Sequence, residues 1–556
     1  MDDKLFIIAV GGTGMRCLEA FVHLCAAGMM DNRTIEILTI DTDNNNGNKG
    51  RVEELINKYN AIKTSDPDKK GGESTADTFF SAKLNLFRFY TDYSSETRKN
   101  YKELAHTRGL SQKDRDDNAD LSELFFDKET VQEFPLNHGY RAQTHLGSML
   151  IYHAIIEAAI KAKKGGADVK DIDKELQEFL ILLNNNANNA RVFVFGSVFG
   201  GTGASSIPVI PVALREALGI ISGGNNEINF DKVKFASTLL TDYFSFSLPD
   251  DEQKKKEKVI ADSANFALNS QAAMAFYESD PTVRESYKFL YHIGWPASSR
   301  INYSESRLGG VITGGSDQRN PCHFVELLAA CAAFDFFTRK DLPSTKAQYL
   351  FRSVEETDGK KLRLTGESFV GPDYGPIFEE KLGSLLSLSH LLLSHFGGAF
   401  DGRVGTIAFR DEMAQRNFPD FLSLSDEQGK LLDDYLKTFA YSVQSGRFNP
   451  GWIFQIKNTI DGQFIFTNES LSLEPKVLAN VDPGGIYNDN RFNWKAGLGF
   501  GSTLARRMDK FLDKVKDSSV RPTKQQGESI KEKFIATLYN AITKSQSNSH
   551  LTGTLS

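Results

Sequence analysis

The tetrapeptide Gly-Gly-Thr-Gly occurs twice in this chain, at Gly11–Gly14 and again at Gly200–Gly203. Each copy follows a short apolar run, Leu5 to Val10 and Val192 to Phe195, and each leads into residues with helical spacing. A backbone that leaves a strand and enters a helix through such a turn aims unpaired amides and the positive end of the helix dipole at one spot, which favours an anion. Glycine suits the turn because it lets the backbone approach a ligand closely and adopt positive φ. The expected chemistry is phosphate binding. Taken alone, the first loop, Val10 to Arg16, also fits a dinucleotide turn, although Cys17 stands where G-x-G-x-x-G has its third glycine. A single dinucleotide unit has no need of the second loop. The chain contains no G-x-x-x-x-G-K-S/T motif. A polyphosphate is therefore expected to be met by backbone amides, by the hydroxyls of Thr202, Ser205 and Ser206, and by Mg²⁺ rather than by a cradling lysine.

The elements around these loops alternate in the manner of a parallel sheet flanked by helices. Strands are expected at Leu5 to Val10, Ile35 to Ile40, Arg191 to Gly196, Lys234 to Thr241 and Lys288 to Trp295. Helices are expected from Met15 to Ala27, at about 146–164, from Pro208 to Leu218, at about 258–279 and, as a long apolar helix, at about 322–338. Residues 44–135 are rich in Asp, Lys, Asn and Glu around an aromatic cluster (Phe87, Phe89, Tyr90, Tyr93), and read as an inserted, mostly helical surface arm. Asn184 to Asn189 reads as a solvated linker. The implied division is a Rossmann-like α/β domain over 1–320, a linking helix over 321–340, an α+β second domain over 341–545 with strands at 452–457 and 463–467, and a polar tail over 546–556.

The bulk composition narrows the function. At 556 residues, with 40% hydrophobic and 25% charged residues, the chain can bury more than one core. A net charge of −7 and a pI near 5.9 give no basic face for nucleic acid. The first ten residues do not read as a secretory signal, and no apolar stretch reaches the ~20 residues of a membrane span. Cys17, Cys25, Cys322 and Cys331 lack metal or redox spacing and sit in apolar stretches, so they read as small core residues in a reducing, cytoplasmic compartment. No protein metal site is expected.

The two loops together resemble those of the tubulin/FtsZ superfamily. Phe199-Gly-Gly-Thr-Gly-Ala-Ser205 is similar to its signature G-G-G-T-G-S/T-G, departing from it at Phe199 and Ser205. Leu38 to Asp43 resembles the I-N-T-D strand end, Ala142 to Gly147 stands where the family has A-N-P-E-V-G, and Asn265 to Asn269 resembles its N-E-A-L segment. The likeness covers about residues 4–340 without the arm, and is greatest to the divergent bacterial tubulin-like proteins. It implies a GTPase-type domain binding GTP or GDP with Mg²⁺, through Gly11, Gly12, Thr13, Gly14, Met15, Asp41, Asp43, Arg141, Ala142, Gln143, Thr144, Gly200, Gly201, Thr202, Gly203, Ala204, Ser205, Asp242, Asn265, Asn269, Asn320 and Phe324. It further implies head-to-tail assembly of the chain with itself into filaments, with hydrolysis completed by an acid from the next subunit, for which Asp373 and Glu379 are the candidates. Glu326 has two readings, as that acid or, with His323, as the cap of the long apolar helix. Further protein partners are expected on the arm or the second domain. A nucleotide-gated scaffold without hydrolysis and an NAD-dependent oxidoreductase remain as alternatives.

Overall fold

The computed structural model describes residues 3–43, 46–63, 72–90, 124, 144–164, 171–223, 232–245, 262–295, 301–302, 323–343, 346–351 and 366–390, with short pieces between 432 and 450. Its centre is a parallel sheet of seven strands: β1 Lys4–Val10, β2 Thr34–Asp41, β3 Lys83–Tyr90, β4 Ala190–Phe195, β5 Lys234–Leu240, β6 Tyr287–Ile293 and β7 Gln348–Leu350. Their order is β3-β2-β1-β4-β5-β6-β7, with Leu5 opposite both Ile35 and Arg191. The sheet grows from β1 to one side through β2 and β3, and to the other through β4 to β7. The direction of winding reverses between β1 and β4.

Helices cover both faces, which is why β1 and β4 are buried along nearly their whole length and carry continuous apolar runs. Side chains alternate across β1. Leu5, Ile7 and Ala9 enter one core with α1 (Gly11–Ala27) and α2 (Gly47–Lys63), whereas Phe6, Ile8 and Val10 enter the other with α3 (Thr144–Lys164), α4 (Asp171–Asn185) and, beyond α5 (Thr202–Ser206), α6 (Ile210–Ile221). After β5 come α7 (Phe266–Ser279) and α8 (Pro281–Ser286); after β6 comes α9 (Phe324–Thr338), then α10 (Gly366–Val370) and α11 (Gly375–His390).

Two expectations are corrected. Residues 47–63 and 72–90 are no surface arm: Val52, Leu55, Ile56, Tyr59 and Ile62 form the buried face of α2, and β3 pairs with β2 over eight residues as the sheet edge. Their apolar positions recur at helical spacing between polar residues that face outward, which made the segment look wholly solvated. Of the rest of the arm, residues 46 and 124 lie within the described residues, and 44–45, 64–71 and the remainder of 91–135 lie outside them. The first core also does not end at 340, because β7 extends the sheet and Phe378, Leu382, Leu385, Tyr435 and Leu436 join the core beneath α1. The long apolar helix expected at about 322–338 is present as α9, which is packed on several sides, against α1, α10 and strands β4 to β6. The strands expected at 452–457 and 463–467, and the tail, lie outside the described residues.

Candidate functional site

Both glycine loops lie at the carboxyl ends of adjacent strands, β1 and β4, at the point where the winding reverses. Open parallel sheets carry their ligand crevice at such a switch point, because the chain leaves the two strands in opposite directions. The loops touch. A Cβ on Gly11, whose φ is +66°, would come 3.0 Å from Thr202 Cβ and 3.6 Å from the Gly203 amide nitrogen. Helix α1 begins at Gly11 after Val10, and α5 begins at Thr202 after Gly201; neither start has a side-chain cap. Gly12, Thr13, Gly200, Gly201 and Thr202 are all partly exposed, whereas Gly14, Met15, Gly203, Ala204 and Ser205 are buried.

Not every glycine is there for a ligand. A Cβ on Gly14 would lie 2.5 Å from the Phe195 carbonyl oxygen, and one on Gly203 would lie 2.7 Å from the backbone of Ser197. These two residues let α1 and α5 press against the strand ends. Phe199, where the family signature has glycine, turns its ring into the aromatic cluster of Phe266, Phe244 and Tyr243, with centroids at 4.9, 5.6 and 6.1 Å.

Other elements close in on the pair. The start of α3 stands against α5, where Ser148 Oγ donates to the Ser205 carbonyl at 2.8 Å, and this brings Thr144 to the same corner. Asn269 on α7 donates through Nδ2 to the Phe199 carbonyl at 3.4 Å, and Asn265 is exposed at the start of that helix. Asp41 ends β2 with a buried carboxyl that accepts from the amides of Thr42 (2.8 Å) and Asp43 (3.1 Å) and from Asn46 Nδ2 (3.1 Å). Burial outweighs those hydrogen bonds and raises its pKa to about 7. Asp43 is buried beside it, and Asp242, just past β5, is buried and accepts from Ser270 Oγ at 3.4 Å. Arg141, Ala142, Gln143 and Asn320 lie outside the described residues, as does the side chain of Phe324, the first residue of α9.

Glu326 is corrected from a catalytic candidate to a structural group. It is 1% exposed, and together with His323 it caps α9: the His323 amide donates to Glu326 Oε2 at 3.0 Å, and the Val325 amide donates to His323 Nδ1 at 3.1 Å. Arg16 Nη2 donates to Glu326 Oε2 at 3.0 Å, and Tyr243 donates its hydroxyl to Oε1 at 2.9 Å. Burial pushes the Glu326 carboxyl up, while Arg16 and these hydrogen bonds pull it back. Burial, with the Arg16 charge added, holds His323 neutral, with a pKa of about 3. Arg16 also binds Glu19, which pairs with Arg51 at 3.0 Å, so a buried chain of charges runs from α2 through α1 to α9 directly behind the first loop. This network was missed in the sequence; the signal available was Arg16 and Glu19 three apart in an otherwise apolar helix.

The remaining acids lie elsewhere. Asp373 is exposed on the turn between α10 and α11, and Glu379 is on α11. Lys381 of α11 donates to the Gly28 carbonyl at 2.8 Å, past the far end of α1, and Tyr374 packs on Phe334 in the second half of α9 at 5.2 Å. Seventeen residues of α1 span roughly 25 Å. Within one molecule these contacts tie the turn to the second half of α9 and tie α11 to the far end of α1. No protein-family model matches this chain, and no curated protein matches it.

Proposed function

We propose that this chain is a tubulin/FtsZ-like protein that binds GTP across the two glycine loops. The observation that supports this most is the contact of Gly11 with Thr202 at the switch point: one dinucleotide unit uses a single glycine turn, whereas two abutting turns suit a polyphosphate held from both sides. The residues left partly exposed on the two loops are Gly12, Thr13, Gly200, Gly201 and Thr202, and these are the ones a phosphate chain could reach. Backbone amides of Gly11 to Gly14 and Gly200 to Gly203, with the Thr13 and Thr202 hydroxyls, would hold the phosphates. Asp242 and Asp43 would face the sugar side, and the amides of Asn265 and Asn269 can pair with the donor and acceptor edge of guanine. Mg²⁺ would rest chiefly on the phosphates, since the described residues contain no cluster of three potential ligands.

Hydrolysis and head-to-tail assembly belong to the same proposal. A water-orienting carboxylate is needed. Asp373 and Glu379 belong to a turn and a helix held by the second half of α9 and the far end of α1, and a neighbour stacked in the same orientation could bring one of them to the phosphate end. Such contacts are heterologous and build open filaments unless they close into a ring. Calorimetric titration with GTP tests the binding. Gly201→Trp should weaken affinity about 100-fold with an unchanged melting temperature, and unchanged affinity would refute the site. Turnover should rise with a concentration threshold and fall in Asp373→Ala. Binding without any turnover at high concentration would favour a nucleotide-gated scaffold, a reading that the commitment of Glu326 to its helix cap also favours.

A further inference from the structure

Phe199 is the residue at which the second loop first departs from the family signature, and its peptide is held from two sides. Its ring is buried among Phe266, Phe244 and Tyr243. Its carbonyl accepts from Asn269 Nδ2 on α7 at 3.4 Å. The same helix reaches the far end of the loop, where the Tyr277 hydroxyl donates to the Ala204 carbonyl at 2.5 Å. Helix α7 therefore brackets the loop, with Phe199 as the near anchor.

A carbonyl oxygen accepts and never donates, so the Asn269 amide must turn its NH2 group toward Phe199 and its Oδ1 away. The link is too long to add much strength, and its effect is to set an orientation. Among the described residues nothing donates to Oδ1, and Asn269 is only half-buried. Asn265, exposed one turn earlier at the start of α7, lies on the same side of the helix. This side of α7 thus presents an acceptor beside the second loop. With glycine at both 199 and 200 the peptide between them could flip, because neither residue would have a side chain to oppose it. A flipped peptide would offer Asn269 an N–H, and the amide would turn round to show its NH2 group outward instead. The buried ring of Phe199 prevents that exchange.

On the reading that GTP lies across the two loops, we propose that Phe199 is a positioning residue for base selection: by pinning its own peptide it keeps Asn269 Oδ1 outward, as the acceptor for the 2-amino group of guanine. Hypoxanthine lacks that amino group and is otherwise the same base, so GTP and ITP are the probes. In calorimetric titrations of the full-length chain, below the concentration threshold for turnover, the wild type should prefer GTP over ITP about fivefold, as one neutral hydrogen bond provides. Phe199→Gly should bring the ratio to within about twofold of unity by weakening GTP more than ITP. Phe199→Leu, which keeps an apolar anchor, should retain most of the preference. Asn269→Ala should also remove it, and adding Phe199→Gly to that variant should change the ratio no further, since the ring acts through this amide. If Phe199→Gly does not fold, Phe244→Leu decides the matter: it loosens the seat of the ring without altering the loop or α7, and should roughly halve the ratio. A preference unaltered in Phe199→Gly, or in its stead Phe244→Leu, would overturn the role of Phe199, as would an equal loss of affinity for both nucleotides. Equal binding of GTP and ITP by the wild type would overturn the base selection alone and leave the phosphate seat in place. Failure of the wild type to bind either nucleotide would refute the site itself, and this role with it.

Discussion

Two helices begin at the same rim of the sheet and are finished in opposite ways. Helix α9 supplies its own cap: His323 and Glu326 take up its first amides, and Arg16 and Tyr243 lock the carboxylate in place. Helix α1 has no side-chain cap, with Val10 before it and small, partly exposed residues at Gly12 and Thr13. Orphan amides at a helix start need partners from side chains, water or ligand. The contrast teaches that an acid near a helix start is not by itself a functional acid. The start that the protein leaves unfinished is the better mark of a site.

The largest effect should come from breaking the finished end. Glu326→Ala leaves Arg16 buried without its cross-helix partner and removes half of the α9 cap. It should cost about 3–5 kcal/mol in chemical denaturation, as loss of one member of a buried pair does. A cost under 1 kcal/mol would show that α9 does not depend on the network. The converse change supplies α1 with a charge of its own. Gly12→Asp places a carboxylate at the positive helix end and should leave the free protein as stable or a few tenths of a kcal/mol more so, while weakening GTP binding roughly tenfold or more by calorimetry, about 1.4 kcal/mol. If binding were unchanged, the α1 amides would not be the phosphate seat.

A third change separates the two buried acids by pH. The folded-state pKa of Asp41 is raised to about 7 from an ordinary value near 3.8, so the folded protein holds a proton that the unfolded chain releases. That contribution to stability is complete below the ordinary value and is lost as pH rises from about 4 through 7. Stability of the wild type relative to Asp41→Asn should fall across that window, and a flat difference would contradict it. The smallest effect is expected at Asn269, whose link to the Phe199 carbonyl is long. Asn269→Ala should reduce the preference for GTP over ATP by less than tenfold in competition binding.

The loops were legible because their glycines are forced by geometry, but the signal mixes two causes. Gly14 and Gly203 are needed for packing against Phe195 and Ser197, and Gly11 for its positive φ and its closeness to Thr202. A sequence shows the six glycines alike. The parallel sheet was legible from the apolar runs of β1, β2, β4, β5 and β6. What escaped was structure whose buried positions are diluted by polar neighbours: α2, whose buried face lies among Glu, Lys and Asn; β3; and α4, which stood hidden beside the asparagine run. The short β7, with three mostly exposed residues, carried too little pattern to be placed. Glu326 could be read either as cap or as acid because its partners, Arg16 and Tyr243, are distant in sequence and meet only in the folded chain.

The seam between Gly11 and Thr202 joins parts of the chain about 190 residues apart. It exists only once the middle pair of strands has zipped together, so the cradle cannot form before the first 203 residues of the chain have been made. A polyanion lying across it would act as a clasp on that central pairing, and by mass action would raise the midpoint of thermal unfolding in proportion to the logarithm of its concentration. The abundance of the ligand would then set how long each copy of the protein survives quality control in the cell.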